Sequence, residues 1–153
     1  MLITGRPEII EIKDNQIGVL EEKGQFKKLC QQNTYKVYPH QRLHIIETGE
    51  QKIDLKHKIL RSYDNIDIDT EGYYTYIITE PVKAFYEVAN LKEAIKIIVI
   101  KHILDTFEDF ETTQLKDSLG TINKTITNSL ENEPLFLEWG VKINQIEITN
   151  ITL

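Results

Sequence analysis

Between Asp64 and Pro81 the chain passes without a break from acids into tyrosines: Asp-Asn-Ile-Asp-Ile-Asp-Thr-Glu-Gly-Tyr-Tyr-Thr-Tyr-Ile-Ile-Thr-Glu-Pro. Ile66, Ile68, Thr70, Gly72, Tyr74, Tyr76 and Ile78 fall on one side of a period-2 pattern. Successive side chains of a strand point to opposite faces, so this pattern is that of a long strand with one buried face. The run ends at Glu80-Pro81, where proline suits the first turn of a helix because its missing N–H costs nothing there. A long strand in mid-sequence with helices after it is the first requirement on the fold.

Upstream, short apolar runs alternate with turn chemistry. Ile9–Ile12 and Ile17–Glu21 are separated by Asp14-Asn15-Gln16, and Phe26–Leu29 follows Lys23-Gly24. Two hairpins are expected from this spacing. Glu22-Lys23-Gly24-Gln25 carries the clearer turn signal, since glycine reaches positive φ at little steric cost. Asn33–Tyr38, Leu43–Glu47 and Lys52–Leu60 extend the antiparallel pattern, with Pro39 and Thr48-Gly49-Glu50 as breaks.

After Pro81 the period lengthens. Val82, Phe85, Tyr86 and Ala89 mark a short helix. From Leu91 to about Phe107, Leu91, Ala94, Ile95, Ile98, His102, Ile103 and Phe107 recur at helical spacing, behind Asn90 as N-cap with Glu93 three residues on. The β-branched cluster Ile97-Ile98-Val99-Ile100 leaves a buried strand as the competing reading. A third helical element is expected from Thr112 or Thr113, with Leu115, Leu119, Ile122, Ile126 and Leu130 as its stripe and a break at Pro134. Trp139–Ile151 alternates again and closes the chain as a strand. The class that follows is α+β: a mostly antiparallel twisted sheet, three to four helices on one face, and a C-terminal strand completing it.

The length of 153 residues is that of one domain spanning 1–153, with residues 1–7 expected to be flexible and no second core. The single cysteine, Cys30, excludes an internal disulfide framework, and the N-terminus lacks a signal-peptide core, so a reducing, cytoplasmic setting is expected. The longest apolar run, Ile97–Ile100, is far below the roughly 20 residues of a membrane-spanning helix. A net charge of −6 with interleaved lysines argues against a nucleic-acid surface.

No catalytic, cofactor or metal residue is expected. Asp67-Ile68-Asp69-Thr70-Glu71-Gly72 begins like a calcium loop, but the twelfth position is Ile78 where a bidentate glutamate is needed. His40 and His44 lie in extended chain, Cys30 reads as a buried inert thiol, and His102 as a hydrogen-bonded histidine at the core edge. The seven glycines are scattered and form no phosphate cradle. Asn123-Lys124-Thr125 and Asn150-Ile151-Thr152 match a glycosylation sequon without a secretory signal. Trp139 is expected to anchor the closing strand.

Taken in order, Ile10–Leu20 with Lys23–Leu29, the run from Asp64 to Glu80-Pro81, Gln114-Leu115-Lys116-Asp117, and Glu138-Trp139-Gly140-Val141-Lys142-Ile143 resemble the SPFH or band 7 domain of stomatin, prohibitin and flotillin. The nearest likeness is to the bacterial slipins, and it covers roughly residues 9 to 151. The sequence departs from that pattern at Gln31-Gln32-Asn33, where slipins carry Pro-Gly, and it has neither the hydrophobic N-terminal segment of stomatins nor the long helical region after the domain. It therefore reads either as a trimmed piece or as a stand-alone domain.

The resemblance implies a non-enzymatic scaffold that binds copies of itself and a membrane-linked protein partner, peripheral to the membrane. Candidate contact residues are those of exposed edges and of the first hairpin: Glu22, Lys23, Gln25 and Phe26, with Tyr73 and Tyr74 from the tyrosine run. The alternative is a monomeric soluble module that regulates a protease or another partner. An enzyme on this fold would need a cleft of convergent polar groups, which the sequence does not reveal; a pocket holding Asp64, His57 and Cys30 together would favour that reading.

Overall fold

The structure, a computed structural model, describes residues 5–56, 58–61 and 66–153. Most of the expected flexible lead-in, 1–7, lies outside the described residues. The strands in the first half are β1 (Glu8–Ile12), β2 (Gln16–Glu22), β3 (Gln25–Cys30), β4 (Asn33–Val37), β5 (Gln41–Glu47), β6 (Gln51–Asp54), β7 (Lys58–Arg61) and β8 (Asp67–Ile78). The helices α1 (Pro81–Tyr86), α2 (Leu91–Phe107), α3 (Leu119–Glu131) and α4 (Pro134–Glu138) follow, and β9 (Val141–Thr152) closes the order. The fold is α+β with antiparallel pairing throughout.

That pairing is divided among three sheets. The β2–β3 hairpin forms as expected, and its two-residue loop places Lys23 at φ 52° and Gly24 at φ 79°. Positive φ at both central residues is the geometry whose twist matches the flanking strands. The other expected hairpin, between β1 and β2, does not form. Both edges of β2 are occupied, by β3 and by β5, and β1 pairs instead with β4, Glu8 opposite Val37 through Ile12 opposite Asn33. Ile12, Leu20 and Cys30 then make a small buried cluster with Tyr35 and Leu43 against it. Buried residues thus fall into two clusters where one core was expected.

The larger cluster belongs to the third sheet, built on β8. The expected Lys52–Leu60 strand is split: β6 covers Tyr73–Tyr76 and β7 covers Asp67–Thr70, end to end along one edge of β8. Between them the Leu55 N–H donates to the Gly72 carbonyl, 2.8 Å. The other edge of β8 is paired over nearly its whole length by β9, from Asp69 opposite Thr152 to Ile78 opposite Val141. Bulges fall at Glu71/Gly72 and Thr75/Tyr76. Ile68, Tyr74 and Tyr76 are buried on one face, as the alternation predicts. Burial of Ile68 contributes roughly 1.5–3 kcal/mol relative to exposure.

Helices α2 and α3 cover that face. The Asn90 side chain accepts from the Glu93 N–H at 3.4 Å, the cap read from the sequence. The competing strand reading fails because Ile95, Val99, Ile103 and Phe107, each four apart, form one buried line while Ile97 is 60% exposed. In α3, Ile122, Ile126 and Leu130 are buried, but the helix begins at Leu119, and the expected start near Thr112 is taken by two 3₁₀ turns, Thr112–Gln114 and Lys116–Ser118. Pro134 opens α4, and Trp139 caps that helix beside Phe136 instead of lying in the closing strand. Gly140, at φ 65°, turns the chain into β9, and its carbonyl accepts from Thr79 and Glu80 N–H at 2.7 and 3.1 Å.

Candidate interaction surface at the first hairpin

The tip of the β2–β3 hairpin gathers four of the six residues named from the sequence. Lys23 is exposed on the loop, Gln25 is exposed at the start of β3, and Phe26 beside it is 45% exposed. The Glu22 carboxylate accepts from Lys27 Nζ at 2.7 Å and from Gln41 Nε2 at 3.4 Å, with His40 Nε2 at 3.2 Å. Its pKa is held below the usual carboxylate value, first by the Lys27 hydrogen bond. Partnered in this way, Glu22 fixes the hairpin to the start of β5 and is no free acid.

One residue earlier, Glu21 ties the hairpin to α1. Its carboxylate has His44 Nε2 at 2.6 Å and accepts from the Tyr86 hydroxyl at 2.9 Å. These two bonds, His44's first, lower the Glu21 pKa. Burial, and then the bond to Glu21, raises that of Tyr86. Tyr86 also meets Phe26 edge-on at 6.2 Å and Phe85 at 4.8 Å, and Phe85 lies 4.5 Å from the His44 ring. A chain of four rings therefore links Phe26 of the hairpin through α1 to β5. Beside them an apolar cavity of about 280 Å³ opens between β5 and the α1–α2 turn, lined by Ile45, Ile46, Ile78, Phe85 and Leu91.

The sequence reading missed His44, Phe85 and Tyr86 as a group. Each was visible as a residue type, but their convergence depends on the long-range β2–β5 pairing and on where α1 docks.

The two tyrosines named from the sequence are elsewhere. Tyr73 lies on the other face of β8, where its hydroxyl donates to Glu147 Oε2 at 2.9 Å and accepts from Gln145 Nε2 at 3.0 Å, under Lys52 Nζ at 4.5 Å from the ring centre. Tyr74 is fully buried, and burial pushes its hydroxyl pKa strongly upward. It packs in the larger core and offers no surface to a partner.

Of the residues named for an enzymatic pocket, Asp64 and His57 lie outside the described residues. Cys30 is 2% exposed, and burial raises its thiol pKa. Asp67–Gly72 is part of β8, with Asp67 accepting from Arg61 Nε at 3.0 Å. No group of three or more potential metal ligands occurs among the described residues. His102, as expected, is hydrogen-bonded at the core edge, its Nδ1 to Ser129 and its Nε2 3.4 Å from Glu133. A Ser–His–Glu chain has the order of an activated nucleophile. Of the three, however, only Glu133 lines the neighbouring cavity of about 420 Å³. The chain therefore clasps α2 to α3 and to the turn before α4.

No helix among the described residues is long and apolar enough to cross a membrane. The sequence is 22% identical over 135 residues to an uncharacterized protein of Methanothermobacter thermautotrophicus, covering 88% of this chain and 42% of that protein. The chain thus spans less than half the length of the relative it matches. Residues 10–153 match the SPFH domain / Band 7 family. The match takes in every strand and helix described above apart from the first residues of β1, and the chain belongs to the SPFH domain / Band 7 family.

Proposed function

We propose that residues 1–153 act as one non-enzymatic scaffold domain that binds copies of itself and organises a membrane-linked protein partner from the cytoplasmic side. SPFH domains in general take part in protein–protein interaction and in oligomers, and the family is in general membrane-associated and non-enzymatic. The observation that carries the reading for this chain is Phe26. A large aromatic side chain stands 45% exposed on a hairpin that the Glu22 carboxylate ties to Gln41 and that Tyr86 meets edge-on. A rigid aromatic anchor loses little conformational freedom on binding, which is why such residues dominate interfaces. Lys23 and Gln25 flank it as polar rim.

Light scattering coupled to gel filtration over a concentration series tests this. Self-association should appear in the unaltered protein and be lost in Phe26→Asp, with far-ultraviolet circular dichroism unchanged. A protein that stays monomeric at high micromolar concentration overturns the self-association. If it nonetheless captures a partner through the same hairpin, it is the monomeric interaction module instead.

A further inference from the structure

The smaller buried cluster is not closed over. Between the β1–β4 pair and the sheet of β3, β2 and β5 lies a cavity of about 160 Å³. Cys30, Leu43 and Tyr35, all members of that cluster, line it, together with Lys27, Lys28 and Lys36. No aspartate or glutamate is among the lining residues. Lys27 is engaged by Glu22 at 2.7 Å, whereas Lys28 and Lys36 have no ion pair among the described residues. In a chain of net charge −6 this is a local reversal of sign around an apolar floor.

We propose that this cavity binds a small amphiphilic oxyanion, a carboxylate or phosphate head on a short apolar body. The head meets the lysine ammonium groups at the rim, and the body lies on Leu43 and Cys30. The charge of Lys28 is felt at that floor: it works against the burial that raises the Cys30 thiol pKa. At ~30 Å³ per water the volume corresponds to about five waters, so the body is limited to a short chain of about hexyl size. Binding here requires no self-association, so this inference and the scaffold reading stand or fall separately.

The test is an NMR titration of the intact chain with hexanoate, hexyl phosphate and, as a neutral control, hexanol. A parallel arm uses vesicles containing phosphatidylglycerol, to separate a free ligand from a lipid headgroup. Either hexyl anion should saturate, shift amides around Cys30, Tyr35 and Leu43, and slow alkylation of Cys30 by iodoacetamide, while hexanol does neither. In the double variant Lys28→Gln/Lys36→Gln, affinity should fall roughly five- to tenfold, the effect of removing two partly screened charges. The remote pair Lys116→Gln/Lys124→Gln, on the 3₁₀ turn and α3, should leave it unchanged. Unchanged affinity in the first variant, equal binding of hexanol, attachment to vesicles without binding of the free anions, or no binding of either anion would each overturn the proposal.

Discussion

Asn123 on α3 grips both backbone polar groups of Ile148 on β9: its Nδ2 donates to the Ile148 carbonyl at 3.1 Å, and its Oδ1 accepts the Ile148 N–H at 2.6 Å. Ile148 also lies opposite Gly72 across the β8–β9 ladder, at a bulge. The asparagine supplies the pairing that another strand would otherwise supply, and it fastens the helical layer to the sheet. From sequence the same residue was visible only as the start of a sequon.

Asn123→Leu leaves that N–H and carbonyl buried and unpaired, a loss of about 1–3 kcal/mol per group left without a partner. Urea denaturation should show a lower midpoint with an unchanged slope. Asn123→Asp, which keeps an acceptor for the N–H but turns a carboxylate towards the carbonyl, should not restore the full stability.

Gly140 makes the handover from α4 to β9 at φ 65°, and a Cβ there would meet the Glu80 carbonyl oxygen. Gly140→Ala should cost at least ~2 kcal/mol, combining left-handed backbone with displacement of the Thr79–Glu80 corner. Thermal unfolding measures the loss. Gly120→Ala, where a Cβ meets nothing within 4 Å on α3, should be neutral or stabilising.

Lys23 occupies the first positive-φ position of the β2–β3 turn at 52°, a conformation that asparagine tolerates better. Lys23→Asn should stabilise the protein by about 0.5–1 kcal/mol, read as a raised denaturation midpoint. The register of β2 and β3 should be unchanged by NMR.

Glu21 sets an acid limit on the junction between the hairpin and α1. Its folded pKa is below the ordinary value because His44 and then Tyr86 hydrogen-bond the carboxylate. The unfolded chain therefore binds a proton first, so the Glu21 contribution is present above the ordinary glutamate pKa and is lost as the pH falls through the folded value. Denaturation midpoints measured from neutral pH down to about pH 3 should fall more steeply for the unaltered protein than for Glu21→Gln. Tyr86 adds the opposite limb: its raised pKa means that its contribution is lost as the pH rises through the tyrosine range, and Tyr86→Phe should flatten that limb.

Local signals carried far in this chain. The alternation from Ile68 to Tyr76, the cap at Asn90, the proline that opens α1 and the turn at Lys23-Gly24 are all written within a few residues, and each appears where the sequence places it. The pairing of β1 with β4 is not local. Nothing in Glu8–Ile12 distinguishes a neighbouring strand from one twenty residues on, and occupancy of both edges of β2 decides it. The surface residues show the same division. Glu22, Lys23, Gln25 and Phe26 follow from a turn motif, whereas the tyrosine run alone does not separate Tyr73 from Tyr74, and the alternation puts Tyr74 on the same buried face as Ile68. His44, Phe85 and Tyr86 needed the tertiary fold to meet.

The arrangement of β6, β7 and β9 around β8 also governs order in time. During synthesis β8 emerges with β6 and β7 already available for one edge, while the strand that zips the other edge is translated only after all four helices. Until then the nascent chain exposes an open tyrosine-rich border, the kind of surface on which chaperones act and misassembly begins. Closing that border is a long-range step, and the entropy of closing the loop from β8 to β9 opposes it until the ladder forms.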